Sequence, residues 1–234
     1  MVSSSSLVAL LLVVVMRLSR GGSVTFTLNF NCPPICSCTP DTLSCTGQTE
    51  STARVTSSTN NLRLAHLPFT EVQSGTFRGL INVSRIEISQ SDSIRKIQSK
   101  AFLSIPNLME ISILNIIHLS AIENGAFTDL PKLKYLEMGD NTQLNSIPAN
   151  AFQGLSQPDT YMNLVRNGFT YIESHAFNGT RLEKLILKDN RQLMKIHDDA
   201  FEGAEGPTLL ETDVFGRFKN LTVLCNLAVQ VDNM

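Results

Sequence analysis

Tryptophan is absent from the 234 residues, tyrosine occurs three times and histidine four times. Charged residues make up 17% of the chain, against ~25% in ordinary soluble domains. The 19 Lys and Arg nearly balance 21 Asp and Glu, for a formal net charge of -2. Without an excess of basic charge the chain has no footprint for a nucleic-acid backbone. It also lacks a long apolar run: residues 7–16 form the longest, about half of the ~20 residues that a membrane-spanning helix needs. Catalytic signatures are missing too, with no G-x-S-x-G, no H-E-x-x-H and no phosphate-cradling glycine loop. His66, His118, His175 and His197 fall at unrelated positions, so no two share metal-ligand spacing. His197, Asp198 and Asp199 are adjacent but read as a solvated outer turn. The expectation is therefore no enzyme, no metal and no cofactor. At 42% hydrophobic residues the chain is too apolar for disorder, and its length suits one ordinary to large domain or two small ones.

Only five cysteines occur, and four of them crowd together. Cys32, Cys36, Cys38 and Cys45 make a C-x3-C-x-C-x6-C cluster, which suits an oxidising compartment. Zinc is the rival reading, disfavoured by the lack of a C-x2-C pair and of any histidine within the cluster. Four cysteines allow three connectivities; Cys225 stands alone. The apolar residues 7–16 lie just ahead, followed by Arg17, Arg20 and the small residues Gly21, Gly22 and Ser23. An apolar core ending near small residues is the pattern of a secretory signal, so residues 1–23 read as a signal peptide and residues 24–60 as a cysteine-rich cap. The alternative for the first segment is a buried N-terminal strand or helix, because the only positive charge ahead of the apolar core is the amino terminus.

What is abundant is repetition. Phe77, Phe102, Phe127, Phe152, Phe177 and Phe201 recur every 25 residues, the last step being 24, and each of the last five follows an alanine. Apolar pairs keep step with them: Ile86 and Ile88, Ile111 and Ile113, Leu136 and Met138, Leu185 and Leu187. Two more units start at Leu62 and Met162 with the pair shifted by one residue. Ile94, Leu119, Leu144 and Leu193 follow, then Ile97, Ile122, Ile147 and Ile196. A period of 20–29 residues with L-x-L-x-x-N spacing marks leucine-rich repeats. Asn141, Asn167 and Asn190 hold the asparagine position, while Ser91, Ile116 and Leu67 replace it.

A single repeat cannot bury its apolar side, so neighbours must stack. The expected fold class is α/β: a leucine-rich-repeat solenoid with a curved parallel sheet on its concave face and a disulfide-bonded N-terminal cap. Residues 61–213 hold about six repeats, and residues 214–234 form a divergent tail without repeat spacing or a second cap. The phenylalanines should line the back as a column of core contacts, each worth about 1.5–3 kcal/mol. Strand side chains alternate in direction, so Arg63, Arg85, Glu87, Glu110, Ser112, Tyr135, Glu137, Asn163, Lys184, Ile186 and Lys188 should face the hollow. Mixed charge with a tyrosine on a broad sheet suits a protein partner. Three N-x-S/T sequons, at Asn82, Asn178 and Asn220, permit N-glycosylation.

The cysteine cluster, the strand Arg85-Ile86-Glu87-Ile88-Ser89-Gln90, Leu133-Lys134-Tyr135-Leu136, Asn150-Ala151-Phe152-Gln153-Gly154-Leu155 and Ser174-His175-Ala176-Phe177-Asn178-Gly179-Thr180 together resemble the glycoprotein hormone receptors, over residues 32–213. The resemblance implies a cell-surface, G-protein-coupled receptor whose extracellular repeats grip a heterodimeric cystine-knot hormone of gonadotropin type, lutropin/choriogonadotropin-like or follitropin. It implies hormone contacts at Arg85, Glu87, Tyr135, Asp140 and Arg166, and the pairings Cys32 with Cys38 and Cys36 with Cys45. It places a basic residue where Ser112 stands. The family's cysteine-rich hinge and seven membrane helices have no counterpart in this sequence, which reads as a secreted hormone-binding portion. Residues 136–141 fuse the start of one family repeat to the end of the next, as though one repeat were missing. The runner-up reading is a matrix or adhesion repeat protein that binds other proteins.

Overall fold

The computed structural model describes residues 13–17, 23–27, 36–46, 59–213 and 230–232. Cys32, Asn220 and Cys225 lie outside them, and with Cys32 the expected pairing to Cys38, which is itself disulfide-bonded. β1 (Val13–Arg17) and β2 (Ser23–Thr27) pair antiparallel as a sheet of their own. The cap follows, β3 (Cys36–Cys38) antiparallel to β4 (Thr42–Thr46), with Cys36 opposite Cys45 and disulfide-bonded to it. Leu43 and Cys45 point into the core, and β4 pairs parallel with β5 (Asn61–Ala65). The cap thus covers the apolar edge of the first coil, as the cysteine cluster predicts.

From β5 onward each coil joins a long strand to a two-residue strand. β5 is followed by β6 (Glu71–Val72). β7 (Arg85–Ser89) leads to β8 (Lys96–Ile97) and β9 (Phe102–Leu103). β10 (Glu110–Leu114) leads to β11 (Ala121–Ile122) and β12 (Phe127–Thr128). Then come β13 (Tyr135–Gly139) with β14 (Ser146–Ile147), and β15 (Thr160–Asn163) with β16 (Tyr171–Ile172). β17 (Leu182–Ile186) precedes β18 (Lys195–Ile196), and β19 (Leu209–Glu211) and β20 (Gln230–Asp232) complete the order. The long strands make one ten-stranded sheet in chain order, parallel throughout apart from the pairing of β3 with β4. The return limbs stack into small parallel sheets of two or three strands. The α/β class is realised with β-structure and turns alone among the described residues.

The apolar pattern explains this winding. In β5, β7, β10 and β13 the second and fourth side chains turn inward, so Leu62 and Leu64, Ile86 and Ile88, Ile111 and Ile113, and Leu136 and Met138 are buried. The six phenylalanines stack along the opposite limb as one continuous column, with successive centroids 4.8, 5.0, 5.7, 5.8 and 4.6 Å apart. The alanine before each of the last five is fully buried beside the ring.

The asparagines bind the coils to one another. Asn167 accepts a hydrogen bond from the Asn141 backbone N–H (3.2 Å) and donates to the Met138 carbonyl (2.8 Å). Asn141 serves Ile116 and Ile113 in the same way, and Asn190 serves Asn167 and Leu164. Ser91 stands in two coils before Asn141, its Oγ accepting from the Leu67 N–H. These bonds satisfy backbone groups that stacking removes from water.

Two features depart from the sequence expectation. The repeat strands number seven rather than about six: β19 continues the sheet, with Leu210 fully buried 25 residues after Leu185. It escapes the pattern because the second inward position is Thr212, also fully buried, and no further phenylalanine follows in step. The tail likewise contributes structure, since β20 pairs parallel with β19. The one-residue shift of the unit at Met162 is absorbed by a register irregularity between Thr160 and Tyr161.

Candidate functional site: the exposed face of the large sheet

Parallel register places the outward side chains in rows. One row runs Asn61, Arg85, Glu110, Tyr135, Tyr161 and Lys184; the next runs Arg63, Glu87, Ser112, Glu137, Asn163 and Ile186. Side chains ~25 residues apart in sequence thus meet at a strand spacing of ~4.8 Å.

All five expected hormone contacts, Arg85, Glu87, Tyr135, Asp140 and Arg166, lie on these strands or just past their ends, but they do not stand free. The Arg85 guanidinium reaches Glu110 at 3.3 Å and Glu87 at 3.8 Å, and Arg63 approaches Glu87 at 3.6 Å. These four make an alternating charge cluster over β5, β7 and β10. One coil past it, Tyr135 stacks on Tyr161 with centroids 5.7 Å apart, and the Lys184 ammonium sits over the Tyr161 ring at 5.2 Å. Burial pushes the Tyr135 phenol up, and the Asn163 amide partly opposes the shift. Asn163 donates to Glu137 at 3.0 Å. Beyond the strand ends Arg166 grips Asp140 through two bonds, Nε to Oδ1 at 2.7 Å and Nη2 to Oδ2 at 2.9 Å. That guanidinium holds the Asp140 carboxyl below its usual range. On the last coils Lys184 and Lys188 both pair with Glu211 and hold its carboxyl down, Lys184 contributing most.

Ser112 differs from its place in the expected list. It lies on this face, but the longer side chains around it leave it 1% exposed, with its Oγ unpartnered among the described residues. Tyr161 is missing from that list: the regular pairing of β13 with β15 puts it level with Tyr135, whereas the apolar pattern marks only its neighbour Met162. Three buried polar atoms without a partner, Arg85 Nε, Ser112 Oγ and Asn163 Oδ1, all belong to this face. The arrangement is a broad, mixed-charge surface with a stacked tyrosine pair at its centre. Among the described residues no group of His, Cys, Asp and Glu is placed to hold a metal ion, and no helix is long and apolar enough to cross a membrane.

Stacked coils, an asparagine ladder, a phenylalanine column and a disulfide-closed cap define a leucine-rich-repeat solenoid. The chain belongs to the BspA type leucine-rich repeat region family, whose sequence model matches six copies over residues 70–207. It is similar to the lutropin-choriogonadotropic hormone receptors of Sus scrofa and Homo sapiens, each 48% identical over 206 residues and 77% of this chain. A shorter stretch of 61 residues, 26% of the chain and 8% of the relative, is 51% identical to the thyrotropin receptor of Ovis aries. The chain spans 29% and 28% of the length of the two lutropin-choriogonadotropic receptors. Among solved structures, human 5T4 (Wnt-activated inhibitory factor 1, trophoblast glycoprotein) superposes with a TM-score of 0.51 at 18% identity. The match covers 79% of this chain and 81% of that one, and at that identity the likeness is one of fold.

Proposed function

We propose that this chain is the extracellular hormone-binding portion of a glycoprotein hormone receptor. It takes a heterodimeric cystine-knot hormone of gonadotropin type on the exposed face of the large sheet. The observation that carries the reading is the 48% identity to lutropin-choriogonadotropic hormone receptors, joined to a protein-sized polar face with aromatic residues at its centre. Residues 1–23 act as the export signal, and the cap carries a second disulfide between Cys32 and Cys38.

Within that face Arg85, Glu87, Tyr135, Asp140 and Arg166 contact the hormone. Arg85 and Arg166 meet hormone carboxylates, Glu87 and Asp140 meet hormone lysines or arginines, and Tyr135 is an aromatic anchor. Because these charges already pair with one another, a bound hormone exchanges partners rather than neutralising bare charges. The charged groups then contribute to choice of partner and to association rate more than to raw affinity. A lost repeat at residues 136–141 fits the comparison: 206 aligned positions draw on about 180 of the 234 residues, a shortfall close to one repeat of 20–29 residues. Losing a unit changes the curvature that the hormone meets and weakens binding.

Surface plasmon resonance of the secreted full chain against purified gonadotropins tests the reading. The expected result is saturable binding that is weakened by Arg85→Glu, which leaves Glu110 unpaired and sets three carboxylates together. A folded chain that binds no glycoprotein hormone would overturn it.

A further inference from the structure

Two of the sequons lie in described segments, and their surroundings differ. Asn178 is half-buried: its amide donates to Asn150 Oδ1 at 2.9 Å, and its Oδ1 lies 2.2 Å from where a Cβ on Gly203 would sit. Asn82 is exposed on the turn that leads into β7. The third residue of its sequon, Ser84, is half-buried and bonds Asn60 through both Oγ and the backbone N–H.

The neighbours of Asn82 are unusual for this surface. Ile81, immediately before it, is 54% exposed, and Met109 on the next coil is 45% exposed. Both are tied to the sequon turn: Asn107 donates to the Ile81 carbonyl at 2.7 Å, and the Met109 N–H donates to the Ser84 carbonyl at 2.8 Å. Large apolar side chains left in water on an exported protein ask for a cover. A bulky, solubilising N-linked glycan provides one.

We propose that Asn82 carries an N-linked glycan that shields Ile81 and Met109 beside the first residues of β7 and β10. The assignment rests on reading the chain as exported. In the modification Asn82 Nδ2 bonds C1 of an oligosaccharide carried on a polyisoprenyl diphosphate. The C1–O bond breaks, the diphosphate leaves with its electron pair, and Nδ2 gives up one proton. Acceptance requires the hydroxyl at position 84, which Ser and Thr supply and Ala does not.

The full chain, expressed in a eukaryotic secretory cell, is digested with trypsin before and after treatment with an amide-cleaving glycosidase. Trypsin isolates the sequons on separate peptides, residues 79–85 for Asn82 and 167–181 for Asn178. The expected result is that peptide 79–85 appears after glycosidase with residue 82 converted to aspartate. The conversion persists in Ser84→Thr and is lost in Ser84→Ala. A glycan on peptide 167–181 with none on 79–85 overturns the assignment and leaves export standing. A chain retained in the cell without sugar at either site overturns both. For shielding, secreted Asn82→Gln should raise binding of an apolar dye by about twofold or more, and adding Ile81→Ser and Met109→Ser should return it to the starting level. Unchanged dye binding in Asn82→Gln overturns the shielding role.

Discussion

At Thr76 the core carries a hydroxyl that nothing among the described residues uses. Its Oγ1 is buried without a partner, and the residue is 1% exposed. In the next five coils the same place, just before the column phenylalanine, is alanine. An orphaned buried hydroxyl costs about 1–3 kcal/mol, whereas a methyl of the same shape costs nothing there. Thr76→Val should therefore raise the unfolding free energy by about 1 kcal/mol in urea titration, and Thr76→Ala by less, because it also leaves a methyl-sized gap. Asn167 is the opposite case. It satisfies the Asn141 N–H and the carbonyls of Met138 and Val165 at once, so Asn167→Ala should cost about 2–4 kcal/mol by the same titration. Beside it, a Cβ on Gly168 would lie 2.2 Å from the Thr142 carbonyl oxygen, so even alanine forces the two coils apart. The asparagine ladder was legible from spacing, since Asn141, Asn167 and Asn190 recur in step. The hydroxyl of Ser91, doing part of the same work from a different residue type, was not.

At the scale of elements, the ends of the sheet were the hardest to read. A strand is easily recognised from two inward apolar residues; β19 offers only Leu210, with Thr212 buried just past its end, and β20 has no phenylalanine to keep time. β19 nevertheless carries Glu211, only 15% exposed at its side chain and held by two lysines of β17 and its extension. Its carboxyl pKa is lower folded than unfolded, first through Lys184 and then through Lys188. The stability it contributes is therefore complete above the unfolded value of ~4.3 and is lost as pH falls through the folded value. Thermal unfolding followed from about pH 6 down to pH 3 should show a loss of stability beginning near pH 4.3 that is shallower in Glu211→Gln. At the other end, the disulfide of Cys36 with Cys45 closes a loop with a sequence separation of 9. Removing it with Cys36→Ala and Cys45→Ala should cost about 2–3 kcal/mol. The loss should fall on the cap and β5 first, seen as faster amide exchange there than in β13.

For the whole molecule, each coil touches only its neighbours, so stability is a sum of units and interfaces. Position along the column then matters. Phe127 has a ring on either side, at 5.0 and 5.7 Å, whereas Phe201 stacks on Phe177 alone among the column rings. Phe127→Ala should cost about 3–5 kcal/mol and split unfolding into two transitions in calorimetry, while Phe201→Ala should cost less and keep one.

The column and the winding were legible because they repeat. The face was not, because its pairings join residues from different coils whose types follow no period: Arg85 with Glu110, Tyr135 with Tyr161, Arg166 with Asp140. What the proposed loss of a repeat does to that face is open to direct measurement. β13 pairs without irregularity to β10 and, over Tyr135, Leu136 and Glu137, to β15, so the sheet runs unbroken through the proposed junction at residues 136–141. If a repeat is lost there, as proposed, its effect falls on the partner, since the loss brings Tyr135 and Asp140 onto one coil and removes one step of rotation between the ends of the proposed binding surface. Restoring a coil of 25 residues between Leu136 and Glu137 should leave cooperative unfolding intact and raise gonadotropin affinity by about tenfold or more, about 1.4 kcal/mol. Equal affinity with and without the added coil, in a protein shown to be folded, would mean that hormone contacts do not straddle the junction and lie on one side of β13.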